Sequence, residues 1–349
     1  MKDINYQYVH PKFKLNGFYF NHEDLCRVAY SFIKEGEDFE KPVGDFILDW
    51  FDDKSYIEIA TSGTTGEPKL IQVEKQAMVN SALATGQFFD LSAGNTALNC
   101  LPVKYIAGKM MFVRAFILGL DMDFVAPSAH PLNRNDKIYD FVAMVPLQAE
   151  NSLTQINQIK KLIVGGVRMS LTLIENLKNS TCQVFETYSM TETVTHIAAK
   201  KIGEEAFTIF PNIIIGQDDR KCLTITSSNL NVQNMVTNDV VNIISDQQFI
   251  WLGRLDNVIN SGGIKLSPEQ IETKLSAKMN RRFFVAGLPD EKLGEKLVLF
   301  IEGDSMVLEN AVYENLDKFE KPKEVIFIPK FLETETGKVK RSEIVNSIL

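Results

Sequence analysis

The chain has 349 residues, of which 45% are hydrophobic and 23% charged, a composition typical of a globular protein that buries a large core. Its formal net charge of −8 leaves no basic excess to neutralise nucleic-acid phosphates, so a nucleic-acid partner is not expected. The longest apolar run, 110–120, is too short to span a bilayer and contains Arg114, and the first residues lack the apolar core of a signal peptide.

Helices and short apolar strands alternate over the first half of the chain. Helices are predicted near 21–36, 43–51, 75–89, 110–120 and 171–177, and strands at 56–60, 96–101, 122–126, 141–145, 161–164 and 183–188. This alternation predicts an α/β fold with a largely parallel sheet, which binds its ligand at the carboxyl ends of the strands. The unusual loops follow Ala60, Leu101, Val164 and Tyr188, and we therefore group them as one site.

The second half of the chain has a different pattern. Residues 207–252 alternate Thr, Ile, Val and Asn between turn-rich breaks, which predicts an antiparallel, β-rich subdomain. A turn-rich link then leads to a helix with Pro268 near its start, followed by further α and β structure. We place a boundary at Asp256, between a large N-terminal domain, 1–255, and a small α+β domain, 256–349.

The stretch 56–69, YIEIATSGTTGEPK, is predicted to be a strand followed by a loop rich in hydrogen-bond donors. Its glycines let successive backbone N–H groups converge on one oxyanion, and its hydroxyls and lysine add donors and charge. The loop is suited to a polyphosphate, although an ordinary surface loop can have the same composition. The P-loop pattern is excluded, because Pro68 precedes the lysine and Leu70 follows it. The candidate phosphate ligands are Thr61, Ser62, Gly63, Thr64, Thr65, Gly66 and Lys69.

Three further segments are candidates for the same ligand. Val164-Gly165-Gly166-Val167 ends a strand with two glycines, against which a flat ring can lie; a plain tight turn is the alternative. The segment 188–192, YSMTE, places an aromatic ring, hydroxyls and a carboxylate at one strand end, where a hard oxygen ligand beside a triphosphate would hold Mg²⁺. Asp239 could accept hydrogen bonds from ribose hydroxyls, or it is an ordinary loop aspartate.

Together with two C-terminal segments, these motifs resemble those of the adenylate-forming superfamily of acyl-CoA synthetases, adenylation domains and luciferases. Residues 253–272 match the family pattern GRxDxxIxxxGxKxxPxxIE, and 334–341 match TxxGKxxR, with Lys338 as the lysine. The motifs occur in the family's order over residues 56–341, and agreement of five independent patterns is far more specific than any one of them.

The resemblance implies an AMP-forming acid–thiol ligase that works in two steps. The substrate carboxylate attacks the α-phosphate of ATP to give acyl-AMP and pyrophosphate, and a thiol, expected to be that of CoA, then attacks the acyl-AMP. The implied cofactors are ATP, Mg²⁺ and coenzyme A. The resemblance assigns Mg²⁺ ligation to Glu192, catalytic roles to Lys338, Glu192 and Thr191, and the hinge of a mobile C-terminal lid to Asp256. The other implied cofactor-binding residues are Gly165, Gly166, Val167, Tyr188, Asp239, Arg254, Gly262, Gly263 and Lys265.

The run TETVTHIA at 191–198 resembles the compact o-succinylbenzoate–CoA ligases of menaquinone biosynthesis, which implies an aromatic dicarboxylate as substrate. A second carboxylate needs a cation, so the candidate substrate residues are Lys104, Tyr105, Lys109 and His196, each of which is otherwise an ordinary surface or core residue. The chain departs from the family at Ser189, which replaces the usual glycine of YGxTE, and at Tyr105, which replaces the histidine of LPxxHxxG. Typical members also carry a longer region before the phosphate loop.

Three alternatives stay open at this point: another aryl- or acyl-CoA ligase, a stand-alone adenylation enzyme that charges a carrier protein, and a non-catalytic nucleotide-binding relative. The four cysteines are scattered without a CxxC pair, which favours a reducing compartment, and we expect a cytoplasmic protein. The expected partners are a small carboxylic acid, ATP and CoA, and the sequence leaves a homo-oligomer open.

Overall fold

The computed structural model describes residues 4–60, 70–132, 136–334 and 339–349. Among these, one compact unit holds the residues up to 214 together with 225–234, and a second holds 215–224 and the residues from 235 onwards. The predicted phosphate loop, 61–69, and Lys338 lie outside the described residues.

The first unit alternates strands and helices, as predicted. Its strands are β1 Lys14–Leu15, β2 Phe18–Tyr19, β3 Tyr56–Ala60, β4 Leu70–Glu74, β5 Thr96–Asn99, β6 Asp121–Phe124, β7 Tyr139–Met144, β8 Ile159–Val164, β9 Gln183–Ser189, β10 His196–Lys201 and β11 Phe207–Ile209. Its helices are α1 His22–Glu35, α2 Lys41–Phe51, α3 Lys75–Phe88, α4 Ile106–Leu118, α5 Pro146–Asn151 and α6 Leu171–Lys178.

The main sheet of this unit has the strand order β2-β1-β6-β5-β7-β8-β9-β10-β11. Strands β6, β5, β7, β8 and β9 are parallel neighbours, whereas β10 runs antiparallel to β9. The α/β fold with a largely parallel central sheet is therefore confirmed. Strand β3 differs from the expectation, because it pairs with β4 in a separate antiparallel hairpin, so the strand-end argument does not extend to the loop after Ala60.

Local sequence explains why two of these helices form where they do. At the start of α1 the side chain of Asn21 accepts a hydrogen bond from the backbone N–H of Asp24 at 3.0 Å, a capping arrangement that satisfies an otherwise unpaired donor. Helix α4 is apolar on all sides, and a helix of that kind is stable only when it is surrounded by protein. Its residues Met110 to Ile117 are accordingly buried, Arg114 among them.

The core of the first unit lies against the parallel strands. Val142, Leu162 and Val184 come from three successive strands and are at most 1% exposed, and α6 covers them with Leu173 and Leu177. Each such side chain contributes about 1.5–3 kcal/mol of hydrophobic burial, so the sheet edge beyond them is a rigid platform.

The second unit is rich in strands, as expected for 207–252. From residue 214 onwards the strands are β12 Ile214–Gln217, β13 Cys222–Ser227, β14 Val232–Ser245, β15 Gln248–Arg254, β16 Ile259–Ser261, β17 Ile264–Leu266, β18 Phe283–Asp290, β19 Gly294–Glu302 and β20 Glu324–Ile328, and the helices are α7 Pro268–Ser276 and α8 Arg341–Asn346. Strands β14 and β15 form an antiparallel pair. Strands β16 to β20 form a separate sheet with the order β17-β16-β19-β18, in which β20 is parallel to β19.

Strand β19 separates two small cores in the second unit. Leu297, Leu299 and Ile301 face one side, where α7 packs, and Val298 and Phe300 face the other, where α8 packs. This alternation follows from the two-residue period of a strand. In the described part of the chain, no helix combines the length and the apolar character that crossing a bilayer needs.

Candidate active site

Three of the predicted loops lie at one edge of the first unit's sheet. Strands β5, β7, β8 and β9 are parallel neighbours, with Met144 opposite Val164 and Val164 opposite Glu186. The loop after β5, the Gly165–Gly166 pair after β8 and residues 190–192 after β9 therefore leave the sheet side by side. Carboxyl ends of parallel strands are where α/β proteins bind their ligands.

The backbone at Gly165 leaves no room for a side chain. A Cβ atom there would lie 2.6 Å from the Oγ1 of Thr187 on β9, and Gly166 follows with φ of +91°. Val167, the residue after Gly166, is half-buried. A flat ring can approach this bare backbone, and the geometry therefore fits the nucleotide base that the resemblance implies.

We expect Gly165→Ala to lower the free energy of unfolding by about 1–3 kcal/mol, because the new methyl overpacks against Thr187. Adding Thr187→Ala should restore part of this loss, since it removes the clashing oxygen. Gly166→Ala is the matched control: the nearest atom to its Cβ is 3.7 Å away, so its cost is backbone strain and Thr187→Ala should not relieve it. Urea unfolding of the four variants measures these differences, and a Gly165→Ala penalty that persists without the threonine hydroxyl would contradict the packing account.

The segment 188–192, at the end of β9, exposes its carboxylate and buries its aromatic ring. Glu192 is exposed in the short 3₁₀ turn Thr191–Thr193, whereas Tyr188 is only 9% exposed and its ring packs edge-on against Phe207. Within the described ranges no group of three His, Cys, Asp or Glu side chains could hold a metal ion. Mg²⁺ beside a triphosphate needs only one or two protein carboxylates, so Glu192 fits that role without such a cluster.

The chain turns sharply immediately after Glu192. Val194 has φ of +68° and ψ of −56°, and the N–H of Thr195 donates to the carbonyl of Thr193 at 2.8 Å, which closes a γ-turn. A positive φ at a β-branched residue costs about 1–3 kcal/mol and persists only where the surroundings impose it. The hydroxyl of Thr193, fully buried, lies 2.9 Å from the carbonyl of Thr195 and holds the turn. This strained turn sets the direction of the chain between Glu192 and His196.

His196 begins β10 directly opposite Ser189, so it is a cross-strand neighbour of the YSMTE segment. It is 5% exposed, and its Nε2 lies 3.0 Å from Oγ1 of Thr85 on α3 and 3.2 Å from Nη2 of Arg114 on α4. A guanidinium has only donors, so Nε2 must be the acceptor and the ring proton must be on Nδ1. Burial and then the charge of Arg114 hold the pKa of His196 well below its ordinary value, which keeps the ring neutral at pH 7.

The other candidate substrate residues lie at the start of α4. Tyr105 is the residue that precedes the helix, and the ammonium of Lys104 lies over its ring at 4.9 Å. Lys109 faces α2 instead: its Nζ lies over the ring of Phe46 at 4.8 Å, and burial lowers its pKa while the carboxylates of Asp49 and Asp45 oppose that shift.

Arg114 is the residue that the sequence-based prediction missed. In the sequence Arg114 argues only against a membrane span, whereas the structure places it, and not Lys109, against His196. A signal is present in the sequence, because Arg114 is the one charge of the apolar run 110–120, and a buried charge needs a polar partner.

In the second unit, the structure brings together three predicted residues at the end of the β14–β15 hairpin. Asp239 is paired in register with Arg254, and the guanidinium of Arg254 donates to the carboxylate of Asp256 at 2.5 Å. Asp239 is 7% exposed and accepts a hydrogen bond from the indole N–H of Trp251 at 2.9 Å. Asp256, the predicted hinge residue, thus lies in the 3₁₀ turn Leu255–Asn257. Its role as a pivot stays a prediction.

The Gly262–Gly263 pair forms the two-residue turn of the β16–β17 hairpin. Both glycines have positive φ, +61° and +82°, as a turn matched to the right-handed twist of its strands requires. Lys265 is exposed on β17, opposite Asn260. The turn therefore presents Lys265 on a short, rigid hairpin.

The structure joins the last two sequence motifs. The guanidinium of Arg341 donates two hydrogen bonds to the carboxylate of Glu272, at 2.8 and 3.0 Å, and lies over the ring of Phe284. Glu272 also accepts the backbone N–H of Val285. Val339, the neighbour of Lys338, forms a backbone bridge with Glu333. The residues on either side of 335–338 are thus fixed to the second unit.

Comparison with known proteins shows similarity to AMP-binding enzymes. The profile of the AMP-binding enzyme family matches residues 52–216. The 2-succinylbenzoate–CoA ligase of Listeria monocytogenes (strain EGD-e) is 24% identical over 98% of this chain and 80% of its own length. An acyl-CoA synthetase (AMP-forming)/AMP-acid ligase II-like protein from Dyadobacter fermentans is 33% identical, with a TM-score of 0.63 over 93% of this chain and 98% of the other. The o-succinylbenzoate CoA synthetase of Bacillus subtilis, solved with ATP and magnesium, is 18% identical and has a similar fold, with a TM-score of 0.72 over 91% of this chain and 81% of the other.

Proposed function

The chain belongs to the adenylate-forming family of AMP-binding enzymes and is an AMP-forming acid–CoA ligase, and from that premise we propose that its acid is 2-succinylbenzoate. One observation carries the proposal. The loop after β5, the bare Gly165 backbone and the Tyr188–Glu192 segment lie at one sheet edge, and His196 lies beside them with a buried cation.

The relatives support the choice of acid. Several curated relatives at 22–25% identity are named 2-succinylbenzoate–CoA ligase, among them those of Listeria monocytogenes and Haemophilus influenzae. That acid has two carboxylates, of which one is activated while the other keeps its charge. A site with a buried cation is suited to such a substrate, because a desolvated carboxylate needs a positive partner.

The proposed chemistry divides between the two units. In the first, the Gly165–Gly166 backbone would take the adenine, Glu192 would hold Mg²⁺, and the 61–69 loop would take the β- and γ-phosphates. In the second, Asp239 would accept hydrogen bonds from the ribose, and Lys338 would place its charge between the carboxylate and the α-phosphate. A fixed charge at that point stabilises the negative charge that develops in the transition state.

The purified protein should exchange pyrophosphate into ATP when 2-succinylbenzoate and Mg²⁺ are present, and should release a CoA thioester when CoA is added. The measurement is an exchange assay over a panel of carboxylic acids, with the thioester detected by mass spectrometry. Omission of the acid, or of Mg²⁺, is the control.

Each alternative predicts a different result. Exchange with other acids but not with 2-succinylbenzoate would assign the chain to another acyl-CoA ligase. Exchange without a thioester on addition of CoA would favour a carrier protein as the acceptor. No exchange with any acid would leave a nucleotide-binding relative without catalysis.

A further inference from the structure

Gln148 joins the ends of three neighbouring strands of the first unit's sheet. Its side chain, in the first turn of α5, is only 5% exposed. The amide nitrogen donates to the carbonyl of Cys100 at 3.0 Å and to the carbonyl of Ser128 at 2.9 Å. The amide oxygen accepts from the backbone N–H of Val145 at 3.2 Å. These three partners come after β5, β6 and β7, so one buried amide connects three loops at the edge where the candidate active site lies.

The pattern of hydrogen bonds around Gln148 requires an amide. Two carbonyl oxygens face its nitrogen and one backbone N–H faces its oxygen, so both N–H donors of the amide are used. A glutamate carboxylate has no donor and would bring a negative charge against the two carbonyl oxygens. A methionine has a similar length but offers no N–H donor. Because the amide of Gln148 serves the backbone, the side chain acts through the loops that it holds and not by contact with a ligand.

The end of β7 supports the glycine pair that would take the adenine. The backbone N–H of Gly165 donates to the carbonyl of Met144, the last residue of β7, at 3.3 Å. A Cβ atom on Gly166 would have a methyl carbon of Val145 as its nearest neighbour, at 3.7 Å. The N–H of Val145 is the one that Gln148 holds. Displacement of Val145 would therefore move the support on which the two glycines lie.

The loop after β5 leads to Tyr105, a candidate substrate residue, and to the start of α4. The buried side chain of Asn99, the last residue of β5, donates to the carbonyl of Gly108 in α4 at 3.1 Å and so ties the strand to the helix. The carbonyl of the next residue, Cys100, is held by Gln148 instead. The same amide thus supports the loop on the acid side and the glycine pair on the base side.

We propose that Gln148 is a positioning residue for adenylation, which fixes the spacing between the loop that leads to Tyr105 and the Gly165–Gly166 pair. This inference rests on the proposed function for the places of the acid and the adenine, and adds to it the side chain that holds those two places in register. A carboxylate reacts efficiently with the α-phosphate only when both substrates are held to within about 1 Å of the reacting geometry. A single amide that connects both loops therefore influences both substrates without a contact to either.

The test measures both sides of the site in Gln148→Met. Calorimetry with Mg²⁺ and α,β-methylene-ATP gives the dissociation constant of the nucleotide, and pyrophosphate exchange gives kcat and KM for the acid that the wild type uses best. We expect kcat/KM to fall at least about tenfold, because misplacement by about 1 Å can cost a hundredfold in rate. The dissociation constant of the nucleotide and the KM for the acid should both rise.

Gln76→Met is the matched control. The amide of Gln76 also donates twice, to the carbonyl of Ile4 and to the Oδ1 of Asn80, but these partners lie before β1 and on α3 and not at the strand ends. Both constants should therefore keep their wild-type values in this variant. A lower melting temperature of Gln148→Met, with both constants unchanged at a temperature where the variant is folded, would assign Gln148 a structural role and overturn the inference.

Gln148→Glu adds a test by pH. Burial against two carbonyl oxygens raises the pKa of a carboxyl, and the protonated carboxyl regains one donor. The exchange rate of Gln148→Glu, relative to that of the wild type, should therefore rise as the pH is lowered from 8 to 6. Gln148→Met has no group to protonate and should stay at a constant fraction of the wild-type rate. Parallel pH profiles of the two variants would contradict the role of the donated hydrogen bonds.

The outcomes also distinguish this inference from the proposed function. Weaker binding of the nucleotide to Gln148→Met, in a protein that exchanges pyrophosphate with no acid, would refute the ligase reaction and keep the role of Gln148 on the base side. Exchange with 2-succinylbenzoate and unchanged constants in Gln148→Met would keep the reaction and refute that role. A wild type that does not bind the nucleotide would refute both.

Discussion

Lys338→Ala should abolish the formation of acyl-AMP while it spares the formation of thioester from supplied acyl-AMP. The proposed role of Lys338 is to place a charge between the attacking carboxylate and the α-phosphate, and that charge is needed only while the phosphate bonds change. Removal of one such contact costs about a hundredfold to a thousandfold in rate. Pyrophosphate exchange measures the first half-reaction, and single-turnover thioester formation from synthetic acyl-AMP measures the second.

Lys340→Gln is the matched control, since it removes a lysine two residues away. Lys340 directly precedes α8, and its ammonium forms a surface ion pair with the carboxylate of Glu343 at 3.0 Å. Such pairs contribute at most about 1 kcal/mol to stability. Both half-reactions should therefore proceed in Lys340→Gln at nearly the wild-type rate. An equal loss of both half-reactions in Lys338→Ala would refute the assignment.

Arg341→Met should destabilise the second unit and slow adenylation together. The substitution leaves the carboxylate of Glu272, 12% exposed, with the N–H of Val285 but without the cation, at a cost of about 2 kcal/mol or more. It also removes the two hydrogen bonds to Glu272 that fix the residues after Lys338 to the second unit. A displacement of about 1 Å at a reacting group can cost a hundredfold in rate, so the exchange rate should fall at least about tenfold.

The pH dependence identifies the cause of the lost stability. Burial raises the pKa of Glu272, and the guanidinium of Arg341 opposes that rise, so removal of Arg341 raises the pKa further. A carboxyl with a raised pKa in the folded state destabilises the fold when it is ionised. The penalty of Arg341→Met should thus be full at neutral pH and shrink as the pH falls through the pKa of Glu272. A penalty that is constant between pH 4 and 8 would contradict this explanation.

The elements that the sequence predicts well are those whose signals are local. The helix predicted near 21–36 and the strand predicted at 161–164 follow from neighbouring residues, and the structure has them at His22–Glu35 and Ile159–Val164. The start of α4 was placed four residues too late, because the pattern of Ile106 to Lys109 is mixed and the helix is held by tertiary burial instead.

The contacts that the sequence did not predict are long-range ones. Both Glu272 and Arg341 belong to recognised motifs, but nothing local indicates that they meet. The neighbourhood of Arg114, Thr85 and His196 is assembled from two helices and a strand, and no sequence period encodes it. The pairing of β3 with β4 was missed for a similar reason, since the sheet to which a short strand belongs depends on tertiary structure.

The central claim is that this chain joins a carboxylate to the α-phosphate of ATP, and isotope transfer tests it most directly. The substrate is 2-succinylbenzoate labelled with ¹⁸O in both of its carboxyl groups, incubated with ATP, Mg²⁺ and CoA. The account predicts AMP that carries one ¹⁸O atom, together with unlabelled pyrophosphate and the CoA thioester. Label in inorganic phosphate beside ADP, or AMP without label, would contradict it.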